Sequence, residues 1–254
     1  MKEIILSELQ KNPYVTGFEL SKILNVSIAT ALRHRKKYSN ISMSECISHR
    51  NTIHCTNEAI EINDKANQII IGSLLGDGCI IKKHNCVFKI LHSKVQEDYC
   101  KYKYDLIIES GICARFSYEK GHESIIGGRT IKNNGQVCIS SCQNQSFNKY
   151  RKEWYKDKKE IPQSVYELNP LGLAIWFMDD GTKNKSSYYI STNGFSFKDQ
   201  EVLMDMLFKN FGIISSLHKN KDKYVLYIRA ESRELFTEII SPYICESMKY
   251  KLYK

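Results

Sequence analysis

Apolar positions along residues 1–38 fall at helical spacing. Ile4, Ile5 and Leu9 come first, then Leu20, Ile23 and Leu24, then Ile28, Ala31 and Leu32. Thr16-Gly17-Phe18-Glu19 has the form of a capping box, with Thr16 as cap and Glu19 three residues on. Asn25-Val26 makes a tight turn, and Ser27 can cap the third helix. Three short helices with such turns predict a helix-turn-helix domain over residues 1–45. Residues 46–66 are polar and weakly patterned, and read as a linker or extended arm.

From residue 67 the pattern occurs twice. "QIIIGSLLGDG" (68–78) and "LGLAIWFMDDG" (171–181) are apolar helical runs ending in Asp77-Gly78 and Asp180-Gly181. After the first come a strand-like "CIIKKHNCVFKIL" (79–91), a helix over 94–110 and Gly111-Ile112. After the second come "KNKSSYYIST" (183–192), a helix over 197–211 and Gly212-Ile213. Further alternating strands follow each Gly-Ile, such as 137–142 and 223–230, and a last helix closes each half, over 144–158 and 232–246. Each repeat therefore reads helix, strands, helix, strands, helix. This α+β unit is present twice, over 67–165 and 166–254.

Charge sharpens the picture. The chain of 254 residues has a formal net charge of +9 and a pI near 9.0, which favours a polyanionic partner such as nucleic acid. Residues 1–40 hold seven Lys/Arg against three Glu, and the third helix ends in Arg33-His34-Arg35-Lys36-Lys37. As a recognition helix it would turn Ser27, Ala29, Thr30 and Arg33 toward a DNA groove; otherwise this is a small helical bundle with a solvated basic end. The nine cysteines are odd in number and form no CxxC pair. Glu8 interrupts the first apolar run, so it is no signal peptide, and no segment is long and apolar enough to span a membrane. An intracellular, reducing compartment is expected, either cytoplasm or an organelle matrix. Cys46, His49, His54 and Cys55 lie close together, but their spacing fits no common zinc site.

The two Asp-Gly ends carry the chemistry. Gly is suited to the left-handed position that stops a helix. A carboxylate there meets the negative end of the helix dipole. Two such ends brought together would repel unless a cation lay between them. Mg²⁺, which prefers carboxylate and carbonyl oxygens, answers that need and suits phosphodiester cleavage. Gly72 and Gly76 form a G-x-x-x-G, a spacing that lets two helix backbones approach closely.

These residues resemble the LAGLIDADG homing endonucleases. "IIGSLLGDG" (70–78) matches the nine-residue motif at Gly72, Leu74, Asp77 and Gly78, and "LAIWFMDDG" (173–181) is similar to the second motif of the single-chain branch. The tracts at 92–107, 191–201 and 241–252 extend the likeness over residues 67–254. The resemblance implies two pseudo-symmetric αββαββα-type units whose motif helices pack together and whose sheets form a DNA-binding saddle, with the small all-α domain in front. It implies Mg²⁺, with Mn²⁺ as substitute, on Asp77 and Asp180 and on the Gly76 and Asp179 carbonyls; Asp179 is left with its side chain held elsewhere. It implies one catalytic lysine per half in "KDKKEIP" (156–162) and "MKYKL" (248–252), namely Lys159 and Lys251, with Lys158 and Lys249 as alternatives.

DNA contacts are expected from Lys82, Lys83, Lys89, Arg115, Lys132 and Gln136 in the first half. In the second they are expected from Lys183, Lys185, Tyr188, Lys219, Lys223, Tyr227 and Arg229. Ile175 and Asp179 stand where small residues often pack, so a less tight or differently shaped helix contact is expected. The activity implied is site-specific cutting of both strands of a long duplex target by a monomer. Cleavage across the minor groove would leave short 3′ overhangs. The alternative is a non-cleaving DNA- or RNA-binding protein on the same fold, an intron maturase or a transcriptional regulator.

Overall fold

The structure is a computed structural model that describes residues 2–11, 15, 17–39, 59–121, 123–126, 129–132 and 135–253. Chain contacts divide it into two compact units, Met1–Asn57 and Glu58–Lys254. Thr16, Cys46, His49, His54 and Cys55 lie outside the described residues.

The first unit holds α1 (Lys2–Lys11), α2 (Gly17–Leu24) and α3 (Ile28–Tyr38). Val15, Leu20 and Ala31 form its core, with Leu9, Leu24 and Val26 packed around them. Asn25 takes φ 51° in the α2–α3 turn, a conformation asparagine tolerates. The Ser27 hydroxyl caps α3 by accepting from the Thr30 N–H at 3.2 Å, and lies 2.9 Å from the Thr30 hydroxyl. Arg33 is exposed, but Arg35, in the same basic run, is buried and donates to the Val15 carbonyl at 2.7 Å. That guanidinium ties the bundle together instead of facing solvent.

The second unit is built around two helices, α4 (Asp64–Leu75) and α7 (Pro170–Asp180). Asn63 and Asn169 cap their N-termini. The segments are apolar on nearly every side, so they can exist as helices only inside a core. Their backbones touch where Gly72 meets Gly172: a methyl group on Gly72 would stand 2.4 Å from the Gly172 carbonyl oxygen. The contact is thus close but shifted along the helix, the differently shaped alternative and not the less tight one. Gly172, one turn before Ile175, supplies the missing small residue. Buried Gln68 adds a polar staple, donating to the Glu167 carbonyl and accepting from the Asn169 N–H, both at 2.8 Å.

Each half adds a four-stranded antiparallel sheet. The first contains β1 (Gly78–Ile81), β2 (Val87–Ser93), β3 (Ala114–Glu119) and β6 (Gln136–Ser141), in the order β1-β2-β6-β3. The second contains β7 (Gly181–Lys183), β8 (Tyr188–Ile190), β9 (Ser215–Asn220) and β10 (Lys223–Ile228), in the matching order β7-β8-β10-β9. Where β9 and β10 are joined by a tight turn, the first half inserts a hairpin, β4 (Glu123–Ile126) and β5 (Arg129–Lys132). Helices α5 (Glu97–Glu109), α6 (Asn148–Trp154), α8 (Phe197–Phe211) and α9 (Arg233–Ile240) complete the halves. One continuous hydrophobic core runs through both.

Several boundaries differ from the sequence reading. Ile60 and Ile62, placed in the linker, pack against the core. The closing helix of the second half stops at Ile240, because Pro242 has no N–H to continue it. The glycines after the motif aspartates are not left-handed: Gly181 has φ −84°, and among the described residues the positive-φ glycines are Gly111, Gly135 and Gly212. What the former need is space. A Cβ on Gly181 would lie 2.1 Å from the Phe177 ring, and one on Gly78 2.7 Å from the Ser73 carbonyl.

Candidate active site

The C-terminal ends of α4 and α7 bring Asp77 and Asp180 into one electrostatic neighbourhood. Burial, the first cause, and then the negative charges of Asp77 and Asp179 push the Asp180 carboxyl up to about 7, against the opposing pull of Lys159 and Lys251. Asp77 behaves in the opposite way. Burial pushes it up too, but contact with His92 and the charges of Lys103 and Lys251 outweigh that and leave it below its ordinary value of 3.8. A pair of carboxylates in which one cannot readily ionise is short of positive charge, and its hard oxygen donors fit a hard divalent cation.

Both expected lysines reach this centre. Lys159 donates to the Gly78 carbonyl at 3.2 Å, next to Asp77. Lys251 donates to the Met178 carbonyl at 2.6 Å and lies 3.4 Å from the Asp179 carbonyl. Burial lowers the proton affinity of each below that of an ordinary lysine, while the surrounding carboxylates oppose that shift. Lys158 is exposed, and Lys249 pairs with Glu246 at the surface.

Asp179 plays a different part from its neighbour. Its side chain is fully buried, and both carboxylate oxygens lie 2.9 Å from the Nζ of equally buried Lys103. The Tyr99 hydroxyl donates to it at 2.6 Å, and the backbone N–H of Asp77 donates to it at 3.2 Å. Burial, with the Asp179 charge beside it, pushes the Tyr99 phenol well above its ordinary value, so it remains a donor. Gly76 makes the arrangement possible, since a Cβ there would stand 2.4 Å from Asp179 Cβ. Removing one partner from an ion pair this buried costs about 3–5 kcal/mol.

His92 completes the cluster. It is fully buried, with Nδ1 3.2 Å from Asp77 Oδ2 and Nε2 3.8 Å from Asp179 Oδ1. Neither nitrogen is aligned for a full hydrogen bond. Asp77, His92 and Asp179 place ligand atoms within 4.8 Å of one another, a grouping that could hold a metal ion. The Asp179 carboxylate already holds an ammonium and its carbonyl lies 3.4 Å from Lys251 Nζ, which leaves the Asp77 and Asp180 carboxylates as the hard oxygens that could hold a cation. The sequence reading missed His92, Tyr99 and Lys103. The motif residue Asp179 was the available signal: a buried acid on a greasy helix requires a base from another element.

Strand alternation divides the expected DNA contacts. The sheet faces turned from the helices carry one row per half, Cys79–Lys89–Ser140–Arg115 and Thr182–Tyr189–Tyr227–Ser216, at equivalent positions. Lys89, Arg115, Gln136, Lys223 and Tyr227 have the parity of these open faces. Lys82, Lys83 and Lys185 lie in exposed turns, Lys132 closes β5, and exposed Arg229 follows β10. Tyr188 is a correction: it is fully buried against Phe177 and Phe236 and cannot touch a ligand. Its neighbour Tyr189 occupies the open face, beside His218 and Tyr227. Lys183 pairs with Tyr188 and Lys219 with Tyr224, which puts both on the helix-side parity; Lys183 donates to the Leu252 carbonyl at 2.6 Å.

Comparison with known proteins agrees with this geometry. The sequence model of the LAGLIDADG DNA endonuclease family matches residues 67–236, and a winged helix-turn-helix DNA-binding model matches residues 3–40. The chain is 35% identical over 205 residues to the cytochrome b mRNA maturase bI2 of Saccharomyces cerevisiae, covering 75% of this chain but 48% of that protein. It is 31% identical to the probable intron-encoded endonuclease 1 of Wickerhamomyces canadensis, covering 73% and 82% of the two chains. The solved structure of the homing endonuclease I-WcaI bound to its DNA recognition sequence is similar in fold, with a TM-score of 0.67 and 23% identity, covering 86% of this chain and 97% of that one. Among the described residues, no helix is long and apolar enough to cross a membrane.

Proposed function

The chain belongs to the LAGLIDADG DNA endonuclease family, and on that premise we propose that it is a divalent-cation-dependent endonuclease that cuts both strands of a specific duplex site. The observation carrying this reading is the pairing of Asp77 with Asp180 at the ends of two interlocked helices, with one lysine from each half beside them. Asp77 and Asp180, with the Gly76 and Asp179 carbonyls, would hold the cation. When bound, Mg²⁺ or Mn²⁺ supplies Lewis-acid activation of water and neutralisation of phosphate charge. Lys159 and Lys251 set ammonium groups where negative charge develops on the phosphate. The open sheet faces seat the duplex, with Lys89 and Arg115 holding phosphates or base edges in one half and Tyr189 and Tyr227 filling the equivalent row in the other. Both halves lie in one chain, so a monomer suffices. Cutting occurs across the minor groove and leaves short 3′ overhangs.

The test is a supercoiled plasmid carrying the insertion-free allele of the interrupted gene. Mg²⁺ yields linear DNA and EDTA yields none. Asp77→Asn and Asp180→Asn abolish cutting, and Lys159→Met or Lys251→Met slows it about 10²–10³-fold, the cost of one lost electrostatic donor. Unchanged cutting by the two aspartate variants would remove the assignment.

The likeness to a maturase supports a second reading, in which the same fold binds intron RNA and promotes splicing without cutting DNA. A protein of that kind shifts its intron RNA in EDTA, accelerates its splicing and leaves the plasmid intact in Mg²⁺.

A further inference from the structure

We propose that Lys103, acting through the Asp179 carboxylate, is a positioning residue for Asp77, so that one of the two strand cuts depends on it and the other does not. The inference rests on the nuclease reading above.

The contacts run across the two halves and back. Lys103 belongs to α5 of the first half and Asp179 to the motif helix of the second. The Asp179 carboxylate, held by Lys103 and Tyr99, accepts the N–H of Asp77, which returns the chain of contacts to the first half. His92, from β2, closes on the Asp77 carboxylate itself. Metal-holding carboxylates oriented by partners of this kind depend on them for both affinity and rate.

Among the described residues the second half has no equivalent. Where Asp179 stands in the second motif, the first has Gly76. Gly78 and Gly181 pair with Ile90 and Ile190, so His92 corresponds to Thr192, whose hydroxyl turns away to Gln200 at 2.9 Å. Lys103 falls among the apolar residues of α8, Leu203 and Met204. Among the described residues neither carboxylate accepts an aligned hydrogen bond, but Asp77 has the buried His92 ring 3.2 Å from its carboxylate and its N–H held by Asp179, whereas Asp180 has only its backbone carbonyl held, by the Ser191 N–H at 3.0 Å. Asp77 is thus braced at its backbone and flanked by a buried ring, and Asp180 has neither support. A brace of this kind is also poorly explained as mere stabilisation, because apolar residues of similar size usually serve a core as well as a buried ion pair does.

The decisive variant is the double substitution Lys103→Met with Asp179→Ala. It leaves no unpaired buried charge, and the Tyr99 hydroxyl keeps the Ile175 carbonyl as partner. On duplex DNA labelled separately on each strand, the double variant is expected to cut one strand about 10–100-fold more slowly and the other at the wild-type rate. A plasmid then accumulates as nicked circles with every nick in the same strand. Mn²⁺ titrated into the DNA-free protein, read by calorimetry, binds about 10–100-fold more weakly. Affinity for DNA in EDTA and the thermal midpoint stay near wild type, and the single variant Lys103→Arg, with Asp179 in place, keeps most of the wild-type rate. Wild-type rates on both strands, or equal slowing of both, overturn the inference while leaving the nuclease reading intact. Wild-type protein that cuts neither strand removes that reading and this inference together.

Discussion

Asp179 and Asp180 are adjacent, yet their surroundings give them opposite duties. Asp179 faces inward to Lys103, Tyr99 and the Asp77 N–H, while Asp180 faces the other carboxylates. This difference has a thermodynamic signature. The folded protein holds the Asp180 proton up to about pH 7, whereas the unfolded chain releases it near its ordinary value of 3.8. Between those values the native state binds more protons than the unfolded one, so this group makes stability fall as pH rises. Without metal, Asp180→Asn should flatten that decline and raise the thermal midpoint at pH 8 by a few degrees, while changing little at pH 4. Calorimetric melts in EDTA across that range check it. A divalent cation should produce the same rise in wild-type protein and none in the variant.

The motif helices are set by what their side chains lack. Gly72 lets α4 touch α7 at Gly172, and Gly76 leaves room for Asp179. Gly72→Ala forces a methyl group into a carbonyl 2.4 Å away and should cost roughly 1–3 kcal/mol, as overpacking does, with a lower thermal midpoint and slower cutting. Gly111→Ala is the contrasting control. It meets nothing within 4 Å but sits at φ 88°, so its penalty is backbone strain of about 1–2 kcal/mol, without effect on the site. The sheets show the same logic through period-2 alternation. Tyr188 and Tyr189 are chemically alike, and only their parity sends one into the core and the other to the open face.

At the scale of the molecule, the basic helix of the N-terminal unit supplies part of the chain's formal net charge of +9. Arg33, Lys36 and Lys37 are exposed on α3, whereas Arg35 is spent on the bundle core. Replacing the three exposed residues with alanine should flatten the salt dependence of DNA affinity by up to about three in log–log slope, one per lost phosphate contact. The rate of cutting at saturating protein should be unchanged. Arg35→Ala should instead lower stability. Filter binding over a salt series, beside thermal melts, separates the two outcomes.

Much of this protein was legible from sequence because it depends on local order and repetition. The helix periods, the cap at Ser27 and the duplicated Asp-Gly ends are short-range features, and they mark the helices, the α+β repeat and its acidic pair. Motif matching placed Lys159 and Lys251 as well. Tertiary structure alone decided which groups hold the Asp179 side chain. Lys103 and Asp179 are 76 residues apart, and no spacing rule links them. Their pairing follows from burial: a charge excluded from water must find its opposite wherever the fold supplies it. The fold also chose the face of each strand and turned the motif glycines from supposed left-handed stops into points of close approach, because contact distances between distant segments exist only once the chain has packed.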